Sequence, residues 1–177
     1  MHKLSILVLV LSTTACGKSD KDAQAFGKAI EEAAQKATAP AKLAFKKIGA
    51  LGIEAEMPDD AKVDDNSASS GYPSATIWAA PTTFVSGAGD MSDLKPTIEE
   101  TKARMQKEEK SLAPTKEEKT ADGWVIEMTG KSMMGDAMIA VSVRRTIDGK
   151  PFDCGSNVSS KDEAARVTKL CQSIRKG

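Results

Sequence analysis

The spacing of apolar positions divides this chain before any single residue type is weighed. Leu4 to Leu11 is an apolar run broken only by Ser5. Further on, Phe26, Ile30, Ala33 and Ala37 recur at intervals of three and four. That period predicts a helix with a thin, Ala-rich stripe, capped by Ser19 with Asp22 as its partner and ended by Pro40. Then the period falls to two. Leu51, Ile53, Ala55 and Met57 alternate with Gly52, Glu54 and Glu56, which predicts a strand with one wet face. Residues 59–73 are rich in turn formers and read as a polar loop. Residues 75–80 read as the next strand, and "TTFVSGAGD" as another that fades into a Gly-rich loop. Leu94, Ile98, Thr101 and Met105 predict a helix of about four turns. Pro96 fits only in its first turn, Glu100 precedes Arg104 by four on the solvated side, and Pro114 closes the segment.

The C-terminal third has the clearest pattern. Asp122-Gly123, Gly135-Asp136 and Asp148-Gly149 fall between alternating runs, and each dipeptide signals a tight hairpin. Together they predict a four-strand antiparallel meander. Trp124, Ile126 and Met128 share one face of one strand, Ile139, Val141 and Val143 one face of the next, and the last carries Phe152 and Cys154. Ser160 and Glu163 form an S-x-x-E capping box for a final helix. Ala164, Val167, Leu170, Cys171 and Ile174 are its buried stripe. The expectation is an α+β fold: an antiparallel sheet containing that meander, flanked by a central and a C-terminal helix, after an N-terminal signal and tether helix. A length of 177 residues suits one domain of this kind, placed at residues 41–177.

The N-terminus has its own logic. Lys3 gives the apolar run a positive lead, and small residues follow it, the order of a secretory signal. The run is less than half of the ~20 residues a spanning helix needs. Ser12, Thr13, Thr14 and Ala15 precede Cys16, and this stretch resembles the lipobox of bacterial lipoproteins, with Thr13 where Leu is usual. The resemblance implies cleavage between Ala15 and Cys16, a diacylglycerol on the Cys16 thiol and acylation of the new amine. Residues 1–15 are then signal peptide and residues 16–40 a lipid-anchored tether. Gly17 rather than Asp after the cysteine implies transport to the outer membrane, facing the periplasm. Two or more acyl chains hold a protein at a membrane where one does so only marginally. An ordinary signal peptide cut after Ala15, leaving Cys16 free, is the alternative.

This assignment changes how the remaining composition reads. The only histidine is His2, so a processed chain has no imidazole for triads, Cys-His dyads or the commonest zinc sites. Three cysteines are an odd number, but a lipidated Cys16 leaves Cys154 and Cys171 as a pair. They are either bonded in an oxidising compartment or two buried thiols. Formal net charge is zero and the sparse aromatics do not alternate with basic residues, which argues against a nucleic-acid partner.

Stretches that could carry chemistry compete with plainer roles. Asp59, Asp60, Asp64, Asp65 and Asn66 supply oxygens suited to Ca²⁺, but without EF-hand spacing they fit a solvated loop better. Met128, Met133, Met134 and Met138 offer thioethers suited to Cu(I), or adaptable packing. Arg144 and Arg145 point to opposite faces, one of them placed to pair with Glu127 across the hairpin. Ser69, Ser70 and Ser86 lack a base partner, and Gly87 and Gly89 lack the rest of a dinucleotide fingerprint.

The order of elements resembles the PsbP-like (Mog-like) α/β/α sandwich, carried by "IGALGIEAEMP", "LKPTIEETKARM", "GWVIEM" and "EAARVTKLCQSI". That family includes small exported lipoproteins and implies accessory or binding roles, with no catalytic residues to transfer. The expectation is therefore a non-catalytic binding or interaction domain anchored through Cys16. It has no cofactor and no metal, and its partner is an envelope protein or a small ligand. The competing readings are an envelope hydrolase using paired carboxylates or Ser-Lys chemistry, and a structural envelope component.

Overall fold

A computed structural model describes residues 42–87 and 97–177. The expected signal, the tether helix, Ala15, Cys16 and Leu94 lie outside the described residues.

Among the described residues, ten strands form two antiparallel sheets. The first has the order β1-β2-β10, with β1 at Leu43–Ile48, β2 at Ile53–Pro58 and β10 at Arg175–Lys176. In β2 the expected alternation is plain: Ile53, Ala55 and Met57 are buried, and Glu54 and Glu56 between them are not. Arg175 ties the C-terminal strand to it, its guanidinium 2.6 Å from a Glu54 carboxylate oxygen and 3.4 Å from the centre of the Phe45 ring.

The second sheet has seven strands in the order β3-β4-β5-β9-β8-β7-β6. These are β3 (Lys62–Asp65), β4 (Ser74–Trp78), β5 (Thr83–Gly87), β6 (Ala113–Thr120), β7 (Gly123–Lys131), β8 (Ala137–Ile147) and β9 (Lys150–Val158). Strands β6 to β9 pair consecutively, each antiparallel to the next. Their turns differ in chemistry. Asp148 and Gly149 both have positive φ, 51° and 76°, as a two-residue I′-type turn requires. At the β6–β7 turn Thr120 opposes Gly123, so Ala121 and Asp122 make the turn and Gly123 already belongs to the strand. Glycine is needed there for approach rather than for turning, because a Cβ would sit 1.9 Å from the Arg144 carbonyl oxygen.

Both faces of this sheet are covered. On one face, Val125, Val141, Val143 and Cys154 pack with the β2 residues and with Ala164, Val167 and Cys171 of the C-terminal helix, α3 (Lys161–Gln172). Ser160 and Glu163 form the capping box of α3. On the other face, Trp124, Ile126, Met128 and Ala140 pack under Ile98 and Met105 of α2 (Ile98–Glu108). A four-residue helical turn, α1 (Ser67–Ser70), lies between β3 and β4. The opposite parity of neighbouring residues on β7 thus feeds two separate cores, and Trp124, Val125 and Ile126 are buried in succession.

Helix α2 begins at a Thr97 cap. The Thr97 hydroxyl accepts from the Glu100 N–H, and the Glu100 carboxylate accepts from the Thr97 N–H at 2.8 Å. Glu100 therefore caps its own helix, whose first turn starts at Ile98; Pro96, expected in that turn, lies outside the described residues. Lys102 fastens α2 to β6 through Glu117 at 2.6 Å, and this hydrogen bond holds the ammonium pKa above its ordinary value. Residues 42–177 belong to one unit, Ala41–Gly177. No helix among the described residues is long and apolar enough to cross a membrane.

Candidate functional site

Among the described residues, helix α2 covers the β6–β8 end of its sheet face, and beside it lies a groove of about 750 Å³. The register of the strands dictates the groove floor. Across the strands run opposed residues Asp64, Thr76, Phe84, Gly155, Ser142 and Ile126. Ile126 is under α2, whereas Thr76 to Ser142 line the groove. Gly155 has no side chain, so the floor dips between Phe84 and Ser142. A Cβ there would meet the Val141 carbonyl oxygen at 2.2 Å, so close strand approach keeps the dip open.

The parallel row next to it is Ser86, Asp153, Arg144 and Trp124. Arg144 donates from Nε and Nη2 to the two Asp153 carboxylate oxygens, at 2.7 and 2.5 Å. Its guanidinium carbon stands 5.8 Å from the centre of the Trp124 ring. This bidentate, stacked arrangement suits arginine's planar fork. Neither arginine meets Glu127, the partner expected for one of them. The register sets Glu127 against Val141, and its ion pair is with Lys116 of β6 at 3.9 Å. Arg145, on the opposite face, binds Asp122 at 2.5 Å and the Gln172 carbonyl, joining the β6–β7 turn to the end of α3.

One wall of the groove is α2, through Arg104, Met105 and Glu108. Along the other side stand Phe84, which alternation puts on the wet face, and Tyr72 from the turn before β4, 41% and 38% exposed. Two strand positions beyond Thr76 and on the same face, Trp78 is 52% exposed. The indole N–H of Trp78 donates to Asp64 at 2.6 Å, which fixes the ring beside the floor. Chemically the groove offers aromatic surface, hydroxyls from Thr76, Ser86 and Ser142, the Asn157 amide, and two arginines balanced by two carboxylates.

The polar cluster, read as a solvated loop in preference to a Ca²⁺ site, instead has Asp64 and Asp65 in strand β3 and Asn66 just before α1. Asp64 holds Trp78, Asp65 accepts from the Ser67 N–H at 2.8 Å, and the Asn66 amide donates to Thr76 at 2.6 Å. The Ser67 hydrogen bonds keep the Asp65 pKa low. Asp59 pairs with Lys42 at 3.9 Å, and Asp60 is exposed. Among the described residues no three His, Cys, Asp or Glu side chains gather as a metal site. The methionines separate: Met128 and Met138 pack under α2, while Met133 and Met134 stand 95% and 91% exposed at the β7–β8 tip. Ser69 and Ser70 belong to α1, where both hydroxyls donate to the Asn66 carbonyl. Gly87 ends β5 with its N–H on the Pro73 carbonyl, and Gly89 lies outside the described residues.

Cys154 and Cys171 have their Cα atoms 5.6 Å apart and their sulfurs at bonding distance, joining β9 to α3 within the core. The bond lies behind the groove floor. Sequence reasoning singled out Ser86 and Arg144 but missed the groove itself. The available signal was parity: Trp78 and Phe84 alternate with the buried Ile77 and Val85 and so had to be aromatics on a wet face. Compared with protein-family models the chain matches none, and compared with curated proteins it likewise finds no match.

Proposed function

We propose that this protein is a lipid-anchored bacterial envelope lipoprotein whose folded domain binds a ligand or partner without transforming it. In this reading the signal is cut after Ala15, acyl chains on Cys16 hold the protein at the outer membrane, and the domain works in the periplasm. The fold is read as a PsbP-like sandwich; α2 and α3 on opposite faces of the seven-stranded sheet support that reading. The groove beside α2 carries the functional reading, because exposed aromatics flank a polar floor that the adjacent helix leaves open. A catalytic alternative has less support: Asp153 is held by Arg144, and the described groove residues include no lysine for Ser-Lys chemistry.

The anchor is tested by labelling with radioactive palmitate in a bacterial host. Cys16→Ser is expected to lose the label and to leave the membrane fraction; unchanged membrane retention overturns the anchor. The site is tested by cross-linking from the full-length protein in its own envelope, comparing the unaltered chain with Phe84→Asp. Adducts that require Phe84 support the groove, and an identical adduct pattern in both removes it.

A further inference from the structure

Groove charge, floor shape and exposed aromatics together restrict the ligand class. Arg104 and Glu108 lie one helical turn apart on α2, and Arg144 is already paired with Asp153. The groove therefore holds two positive and two negative side chains, with no excess charge to recognise a phosphate, a carboxylate or an amine. A charged ligand would meet side chains of both signs in this groove.

What remains is a neutral ligand that is apolar on one side and rich in hydroxyls at its edge. Phe84 provides a flat apolar surface at one end of the dip above Gly155. The Ser142 hydroxyl stands at the other end, and the Ser86 hydroxyl and Asn157 amide flank it. Phe84 and Ser142 are two strand spacings apart, roughly 10 Å, which admits one six-membered ring with its substituents. The hydroxyls donate and accept, the amide does both, and Asp153 and Arg144 keep further acceptor and donor atoms at the same edge. An aromatic face against ring C–H groups, with such polar atoms around the rim, is the complement of a sugar ring.

We infer that the groove is a saccharide-binding site for a neutral oligosaccharide chain, with the central ring seated over Gly155 against Phe84. The inference rests on the groove being the binding site of the domain. Among the described residues the channel stays open past Tyr72, which lets a chain continue beyond the central ring, where a closed pocket would admit only a monosaccharide.

The test is isothermal titration of the full-length chain in detergent with two neutral probes, chitohexaose and maltohexaose. At least one is expected to bind saturably with a Kd on the order of 1 mM or tighter. Phe84→Ala, at an exposed position that leaves both cores intact, is expected to weaken it about tenfold, the loss of roughly one aromatic contact. Phe45→Ala, an equally exposed aromatic on the other sheet, should leave binding unchanged. No saturable binding of either probe up to about 10 mM overturns the inference. So does binding that ignores Phe84→Ala, or binding abolished by equimolar inorganic phosphate. If both probes fail while cross-linking still depends on Phe84, the saccharide class is wrong and the groove stands. If both experiments fail, neither stands.

Discussion

Breaking the link between Cys154 and Cys171 tests directly how much a single cross-link contributes to this fold. The two residues are 17 apart in sequence, and closing a loop of that size in the unfolded chain contributes about 3 kcal/mol in the loop-entropy description. Both sulfurs lie in the core, Cys171 fully buried, so a cysteine-to-alanine exchange would mix loss of the bond with loss of packing. Chemical reduction breaks the bond, adds two hydrogens and keeps both side chains, so it perturbs packing less than alanine exchange does. For a domain of this size, the loss of about 3 kcal/mol corresponds to a fall in Tm of roughly 10 °C. The assay is thermal unfolding followed by far-ultraviolet circular dichroism, with and without phosphine reductant, after alkylation and mass analysis confirm full reduction. The double variant Cys154→Ala/Cys171→Ala should be insensitive to reductant. A Tm that moves by less than about 2 °C on full reduction refutes the loop-entropy argument. Two free thiols in a non-reducing peptide map refute the bond itself.

Three further outcomes follow from the packing and the caps. Gly123→Ala forces a Cβ onto the Arg144 carbonyl oxygen and should cost about 2–4 kcal/mol by urea unfolding, whereas Gly49→Ala, with open space around it, should cost under about 1 kcal/mol. Thr168→Val removes a buried hydroxyl that has no hydrogen-bond partner among the described residues, and should be neutral or stabilise by about 1 kcal/mol; a loss above that would show a hidden partner. Hydrogen bonds from Ser159, then Ser160, hold the Glu163 pKa below the ordinary carboxylate value. Its contribution is thus complete above that ordinary value and fades as pH falls through the lower folded one. Glu163→Gln should be less stable than the unaltered protein at pH 7 and converge with it in strong acid; a constant difference across that range would exclude ionisation of Glu163 as the cause.

Elements with a wet face and a dry face were legible in the sequence, and so were capped helices. Ile53, Ala55 and Met57 alternate because one side of β2 faces the core, and Ser160 with Glu163 marks the start of α3. Edges were not legible. In β1 the lysines Lys46 and Lys47 hide the strand, because the Lys46 ammonium turns in to bind the carbonyls of Asp59 and Ala61. Strand β3, with Lys62, Asp64 and Asp65, looked like part of a loop, whereas β6, which shows no alternation because neither side is buried, was legible only through the hairpin signal that follows it. Charges on such strands also discourage pairing with other chains. The groove was hidden for a different reason. It arises from cross-strand neighbours far apart in sequence, such as Phe84, Gly155 and Ser142, and a local pattern carries no information on that register.

Strand β10 has a consequence for the order of folding. Arg175 meets Glu54 across 121 positions, and the Gly177 N–H reaches the Gly52 carbonyl. Strands β1 and β2 can pair early as a local hairpin, whereas the third strand of their sheet docks only across a long intervening stretch, a contact that loop-closure entropy makes slow. Until β10 arrives the hairpin keeps one edge of unpaired backbone groups, and that edge is open to any other extended segment that meets it first.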